Sequence, residues 1–80
     1  MKLKFRAYYK LDIERGNPMK FIQKVIDDEL CFIYEDDYNA GEPSSFKYPF
    51  SAMFMDDDWI IEQWTGAYDV DEEVYVMVEK

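Results

Sequence analysis

Met19-Lys20-Phe21-Ile22-Gln23-Lys24-Val25-Ile26-Asp27-Asp28-Glu29 admits two secondary structures, and the fold class depends on which one it takes. Asn17 and Pro18 ahead of it suit an N-cap and a first helical position, and a helix would gather Lys20, Gln23, Lys24, Asp27 and Asp28 on one polar face. As a strand, the same residues set Ile22 and Ile26 opposite Phe21 and Val25, with a turn at Asp27-Asp28. Periodicity alone leans towards the helix, and both readings stand at this point. The next residues, Leu30 to Tyr34, form a continuous apolar run of strand length, ended by Glu35-Asp36-Asp37.

Nearer the N-terminus, Leu3, Phe5, Ala7 and Tyr9 alternate with Lys4, Arg6 and Tyr8, which is a strand with one apolar face. Glu14-Arg15-Gly16-Asn17-Pro18 is a turn signal. The longest loop signal runs from Tyr38 to Ser45. Phe46 to Phe50 contains Pro49, so a strand there lies at an edge or ends there. Ser51 to Asp58 suits a helical turn with Phe50, Met53 and Phe54 facing inward. Trp59 to Trp64 has strand composition, ended by Thr65-Gly66, and Tyr68 to Glu73 is an acidic turn. Val74, Val76 and Val78 alternate with Tyr75 and Met77 as a last strand.

The expected architecture is one domain over residues 1–80, because chains divide only well above this length. It is mainly β, with α+β as the variant if Met19 to Glu29 is helical. The sheet is small, antiparallel and curled or barrel-like, with at most one or two short helices. The core residues expected from this pattern are Leu3, Phe5, Ala7, Ile22, Val25, Leu30, Phe32, Phe50, Phe54, Ile61, Trp64, Val74 and Val76. An apolar share of 49% and an aromatic share of 19% suffice to fill such a core despite the high charge.

Charge narrows the function. Nine basic residues face 18 acidic ones, for a net charge of −9. Up to Lys24 the chain carries seven Lys/Arg against Asp12 and Glu14; beyond it only Lys47 and Lys80 face 16 acids. Direct nucleic-acid binding is disfavoured, since phosphate affinity comes from cations and counterion release. A basic protein partner is favoured. Three acidic clusters end apolar runs and are flanked by aromatics: Glu35, Asp36 and Asp37 beside Tyr34 and Tyr38; Asp56, Asp57 and Asp58 beside Trp59; and Asp69, Asp71, Glu72 and Glu73 beside Tyr68 and Tyr75. Gathered on one side, these residues would form a partner-binding surface that mimics nucleic-acid phosphates. Left apart, they are solvated loop ends.

Other chemistries have little support. A chain without His lacks the usual general base, so an enzyme is not expected. Asp69-x-Asp71-x-Glu73 resembles the start of a calcium loop but lacks its Gly and its distal Glu. No metal or cofactor is expected. Tyr8, Tyr9 and Trp59 to Trp64 could line a small-ligand pocket, the basis of a nucleotide-sequestering alternative. Cys31, among Leu30, Phe32 and Ile33, reads as a buried hydrophobe. The opening residues carry no signal-peptide h-region, and no run approaches the roughly 20 apolar residues of a membrane span. A cytoplasmic location is expected, and exposed edge strands would permit a homodimer.

Two segments resemble one family. Lys4-Phe5-Arg6-Ala7, followed by aromatics and a Lys, is similar to the KFRAW-type opening of the YopX-like proteins of bacteriophages and prophages. Glu62-Gln63-Trp64-Thr65-Gly66, then Asp69 and Val74-Tyr75, resembles that family's MQ(Y/F)TGL-KD…IY segment. The sequence departs from the pattern at Val70-Asp71-Glu72-Glu73, where the family usually has Asn-Gly, and at Val76-Met77-Val78. The resemblance implies a phage protein with a predominantly β fold and a β-hairpin over Ile22 to Tyr34. It implies no catalytic residues. Combined with the charge, it leads to a small inhibitor of a basic, nucleic-acid-processing host defence protein, anti-CRISPR-like in mode. A regulatory or structural accessory protein of phage development is the competing expectation.

Overall fold

The computed structural model describes residues 3–41 and 46–80. The elements are β1 (Phe5–Tyr9), α1 (Lys10–Glu14), β2 (Lys20–Ile26), β3 (Glu29–Tyr34), α2 (Glu35–Ala40), β4 (Tyr48–Pro49), α3 (Phe50–Met55), β5 (Trp59–Asp69) and β6 (Glu72–Met77). All strands join one antiparallel sheet in the order β4-β3-β2-β1-β5-β6, open rather than closed into a barrel. The mainly β expectation holds. The helix count does not: the described residues contain three short helices, because α1 continues directly from β1 and α2 takes the first part of the expected Tyr38–Ser45 loop. The rest of that loop, residues 42–45, lies outside the described residues.

The strand reading of Met19 to Glu29 prevails over the helical one. β2 and β3 pair from Phe21–Tyr34 to Ile26–Glu29, and the two residues between them carry φ of 51° at Asp27 and 63° at Asp28. That is the geometry of a two-residue type I′ hairpin turn, and Asp tolerates the left-handed region. The helix-like spacing arises because β2 buries side chains on both faces of the sheet. Phe21 points to the core, while Ile22 pairs with Ile33 on the opposite face, which α2 partly covers.

The core lies on one face. Ala7, Phe21, Phe32, Met53, Trp59 and Ile61 form its centre, ringed by Phe5, Tyr9, Phe46, Phe50 and Phe54 among others. The register explains the set: Ala7 stands opposite both Phe21 and Ile61, and Tyr9 opposite Trp59, so all share a face. The α3 expectation holds, with Met53 buried and Phe50 and Phe54 packed on the core. Cys31 is buried as expected, with Ile33, on the opposite face. Three expected core residues are instead exposed: Leu3 (55%), Val25 (65%) and Val76 (54%). Their faces were assigned correctly, but α3 has six residues, about 9 Å of helix, and covers only part of the sheet. Ile22, Leu30, Trp64 and Val74 are half-buried.

β5 does not stop at Thr65-Gly66. The strand runs on to Asp69 through a register shift between Trp64 and Tyr68. Gly66 takes φ 87° there, and the Thr65 hydroxyl donates to the Val74 carbonyl (2.9 Å) while accepting from the Ala67 N–H (3.2 Å). The β5–β6 turn places Val70 at φ 47° and Asp71 at φ 68°. A β-branched residue in the left-handed region is strained. Replacing Val70-Asp71 by Asn-Gly, the preferred type I′ pair, is therefore expected to stabilise the fold by about 1–2 kcal/mol. Thermal unfolding should show Tm rising by roughly 4–8 °C per kcal/mol, and an unchanged Tm would count against strain at Val70.

Candidate functional site, an acid-rimmed groove

The alternation that sends Phe5, Ala7 and Tyr9 into the core sends Lys4, Arg6 and Tyr8 to the opposite face. Register then decides their neighbours: Arg6 stands opposite Glu62 and Ile22, and Tyr8 opposite Lys20 and Ile60. The basic strand thereby meets carboxylates. Arg6 Nε donates to Glu62 Oε1 at 2.7 Å, Lys4 Nζ donates to Glu73 Oε2 at 2.6 Å, and Lys20 lies 3.5 Å from Glu35. Aromatic rings lie over the same cations. The Arg6 guanidinium is 3.8 Å from the Tyr75 ring centre, Lys4 is 5.7 Å from Trp64, and Lys24 is 5.8 Å from Tyr38.

Lys4, Arg6, Lys20, Glu35, Tyr38, Glu73 and Tyr75 among them line an open groove of about 700 Å³. Lys4, Arg6, Lys20 and Ile22 come from β1, β2 and the residues flanking them; Glu35, Tyr38 and Asn39 come from α2; Asp71, Glu72, Glu73 and Tyr75 come from the β5–β6 hairpin. The cations are already neutralised, and the surplus charge at the rim is negative. Among the described residues, no cation forms an ion pair with Asp36, Asp37, Asp71 or Glu72.

The Lys4–Glu73 pair closes one end of the groove. The hydrogen bond from Lys4 holds the Glu73 carboxyl below its usual range, against an opposing effect of burial, and the bond to Glu73 raises Lys4 above the ordinary lysine value. A carboxylate whose pKa is lower in the folded state stabilises the fold above its unfolded pKa, and that contribution is lost as pH falls through the folded value. Lys4 contributes below its ordinary value, and its part is lost as pH rises through the raised one. Both side chains are partly exposed, so the pair is worth no more than about 1 kcal/mol. Urea unfolding is expected to show Glu73→Gln less stable than the unaltered protein near neutral pH. The gap should close on acidification through the carboxylate range, and a gap independent of pH would exclude this role. Burial raises the Tyr75 pKa, against the lowering effect of the nearby Lys4 and Arg6 cations.

The structure brings one residue of the first acidic cluster, Glu35, together with three of the last, Asp71, Glu72 and Glu73; Asp36, Asp37 and Asp69 do not line the groove. Glu35, Asp36 and Asp37 form the first turn of α2, where negative charge favours the helix. Glu35 shares the groove with Asp71, Glu72 and Glu73, and Asp69 ends β5 just before the turn, next to the exposed Tyr68. Asp56, Asp57 and Asp58 do not line the groove. They precede β5, whereas the hairpin tip follows it, and the 11 residues between set the two roughly 30 Å apart. Asp56 is engaged structurally, accepting from the Tyr48 hydroxyl (3.0 Å) and the Asp58 N–H (2.9 Å). Its carbonyl accepts from Lys80 Nζ at 2.7 Å.

Trp59 is not a surface residue. It is 8% exposed, and its ring centre lies 5.1 Å from those of Tyr9 and Phe21. Of the residues that could have lined a small-ligand pocket, Tyr8, Tyr9 and Trp59 to Trp64, Tyr9 and Trp59 are taken up by core packing. The groove residues not singled out from the sequence as a site include Lys20, Gln23 and Asn39, together with Lys4 and Arg6 in their paired roles. The alternation of Lys4, Arg6 and Tyr8 was a usable signal for the last two, whereas only the fold reveals the others. No family model matches the chain, and neither the curated proteins nor the solved structures contain a significant match to it.

Proposed function

We propose that this domain is a phage-encoded binding protein whose acid-rimmed groove docks on a basic, nucleic-acid-handling host protein and inhibits it. The observation that carries the reading is the gathering of Glu35 with Asp71, Glu72 and Glu73 around one groove, with Tyr38 and Tyr75 among them. Carboxylates interleaved with flat rings imitate phosphates and bases and so complement a partner's cationic nucleic-acid-binding surface, and complementary charge would speed and orient the encounter. The cations of the groove argue against an anionic ligand. Lys4, Arg6 and Lys20 each have a carboxylate partner, so a nucleotide would have to displace three ion pairs.

The test is capture from a bacterial lysate by the tagged protein at about 0.1 M and at about 0.5 M salt, with identification of what is bound. The expected result is one basic nucleic-acid-handling protein, released at the higher salt, whose activity falls when the purified domain is added. Capture of nothing, of the domain alone, or of a target whose activity is unaffected would overturn the reading.

A further inference from the structure

The sheet has two edges, and they differ. The β4 edge is two residues long and contains Pro49, which has no N–H to offer. The β6 edge, Glu72–Met77, is six residues long and contains neither Pro nor Gly. The register shows which of its backbone groups are free. Glu62 stands opposite Met77, and the Val78 N–H donates to the Ile61 carbonyl at 2.8 Å. Gln63 and Val76 are then the mutually bonded pair, so the N–H and C=O of Tyr75 and Met77 point away from β5. At the hairpin end, the two-residue turn makes Asp69 and Glu72 the bonded pair, which turns Glu73 outward as well.

Edge strands of this length are usually guarded, often by Lys. From Tyr48 to Glu79 the chain contains no Lys or Arg, while Asp69, Asp71, Glu72 and Glu73 crowd the hairpin. The guard is negative charge. It repels a second copy of a protein of net charge −9, and it attracts a cationic strand.

We infer that β6 is a docking edge for an extended basic segment of the partner, which adds to the sheet as a seventh strand through the outward backbone groups of Glu73, Tyr75 and Met77. Strand addition of this kind takes affinity from main-chain hydrogen bonds and specificity from alternate side chains. On the groove side the incoming strand meets Glu73 and the Tyr75 ring, with Asp71 and Glu72 beside them, and the surplus negative charge of this hairpin selects Lys or Arg. On the other side it meets Val74 and the exposed Val76, which select apolar residues. The segment recognised is therefore one that alternates cations with apolar residues. This inference rests on the proposed basic partner and specifies how it binds.

The experiment uses the isotopically labelled full chain and a synthetic peptide of alternating Lys and Val, with amide hydrogen exchange as the readout. Exchange at Glu73, Tyr75 and Met77 should slow about tenfold or more with peptide, while Val76, already bonded to β5, changes little. Met77→Pro removes one outward N–H at an exposed position and leaves the ladder to β5 intact, so peptide affinity should fall about tenfold. If a folded Met77→Pro protein binds the peptide unchanged, strand addition is wrong; if that variant does not fold, the exchange pattern of the unaltered chain decides. Peptide binding without slowed exchange at the three amides also overturns the inference. So does slowing that appears without peptide and grows with protein concentration, since a second copy would then cover the edge. Either result leaves the proposed function standing if a basic target is still captured from lysate, whereas failure of that capture removes the function itself.

Discussion

Trp59→Ala is expected to leave much of the population unfolded at about 25 °C. An 80-residue domain is stabilised by roughly 4–12 kcal/mol. Removing a buried Trp typically costs 3–5 kcal/mol through lost transfer energy and the cavity left behind, about the whole of the lower figure. The site cannot collapse easily, because Trp59 is the hub of an aromatic cluster. Its ring centre lies 5.1 Å from Tyr9, 5.1 Å from Phe21, 5.7 Å from Phe46 and 6.1 Å from Tyr48. Each such pair adds about 0.5–1.5 kcal/mol beyond area burial. Circular dichroism during urea unfolding measures the loss. Tyr68→Ala is the control: that side chain is mostly exposed, and its removal should cost under about 1 kcal/mol. A Trp59→Ala protein as stable as the unaltered one would place the ring at the surface, as its three acidic neighbours in sequence suggest.

The contrast shows which information lies in local sequence. Period-two alternation in β1 located both faces of the sheet, and Pro49 located one edge, because each is a property of a few consecutive residues. β2 misled because a strand that carries Phe21 on one face and Ile22 on the other has no polar side to show the period. Trp59 misled in a different way. Its place in the core follows from standing opposite Tyr9, a contact between residues 50 positions apart. Coverage was equally invisible: Leu3, Val25 and Val76 lie on the apolar face, but beyond the reach of the short α3. The same holds for the groove. Its acids end strands, and the direction of each strand decides which end of the sheet a cluster occupies. Ending β5 at Gly66 hid the distance between Asp58 and Asp71.

That separation makes the last prediction discriminating. Asp71→Asn combined with Glu72→Lys changes the rim by three charge units and places Asn at the left-handed turn position, which Asn tolerates well. A like-charge contact at an interface costs several kcal/mol, and a partially exposed pair about 1 kcal/mol or more on each reversal. Affinity for the captured partner is expected to fall roughly hundredfold or further, with Tm close to that of the unaltered protein. Asp57→Lys combined with Asp58→Lys alters the net charge by a similar amount at the far end of β5, away from the groove. Its effect should be about tenfold smaller and should disappear as salt is raised, because beyond a Debye length of about 8 Å exposed charges act mainly by steering. Equal losses from the two variants would mean that the partner responds to the net charge of −9 and not to a built surface. Loss confined to the hairpin variant would tie recognition to the rim that β1, α2 and the β5–β6 hairpin assemble from distant parts of the chain.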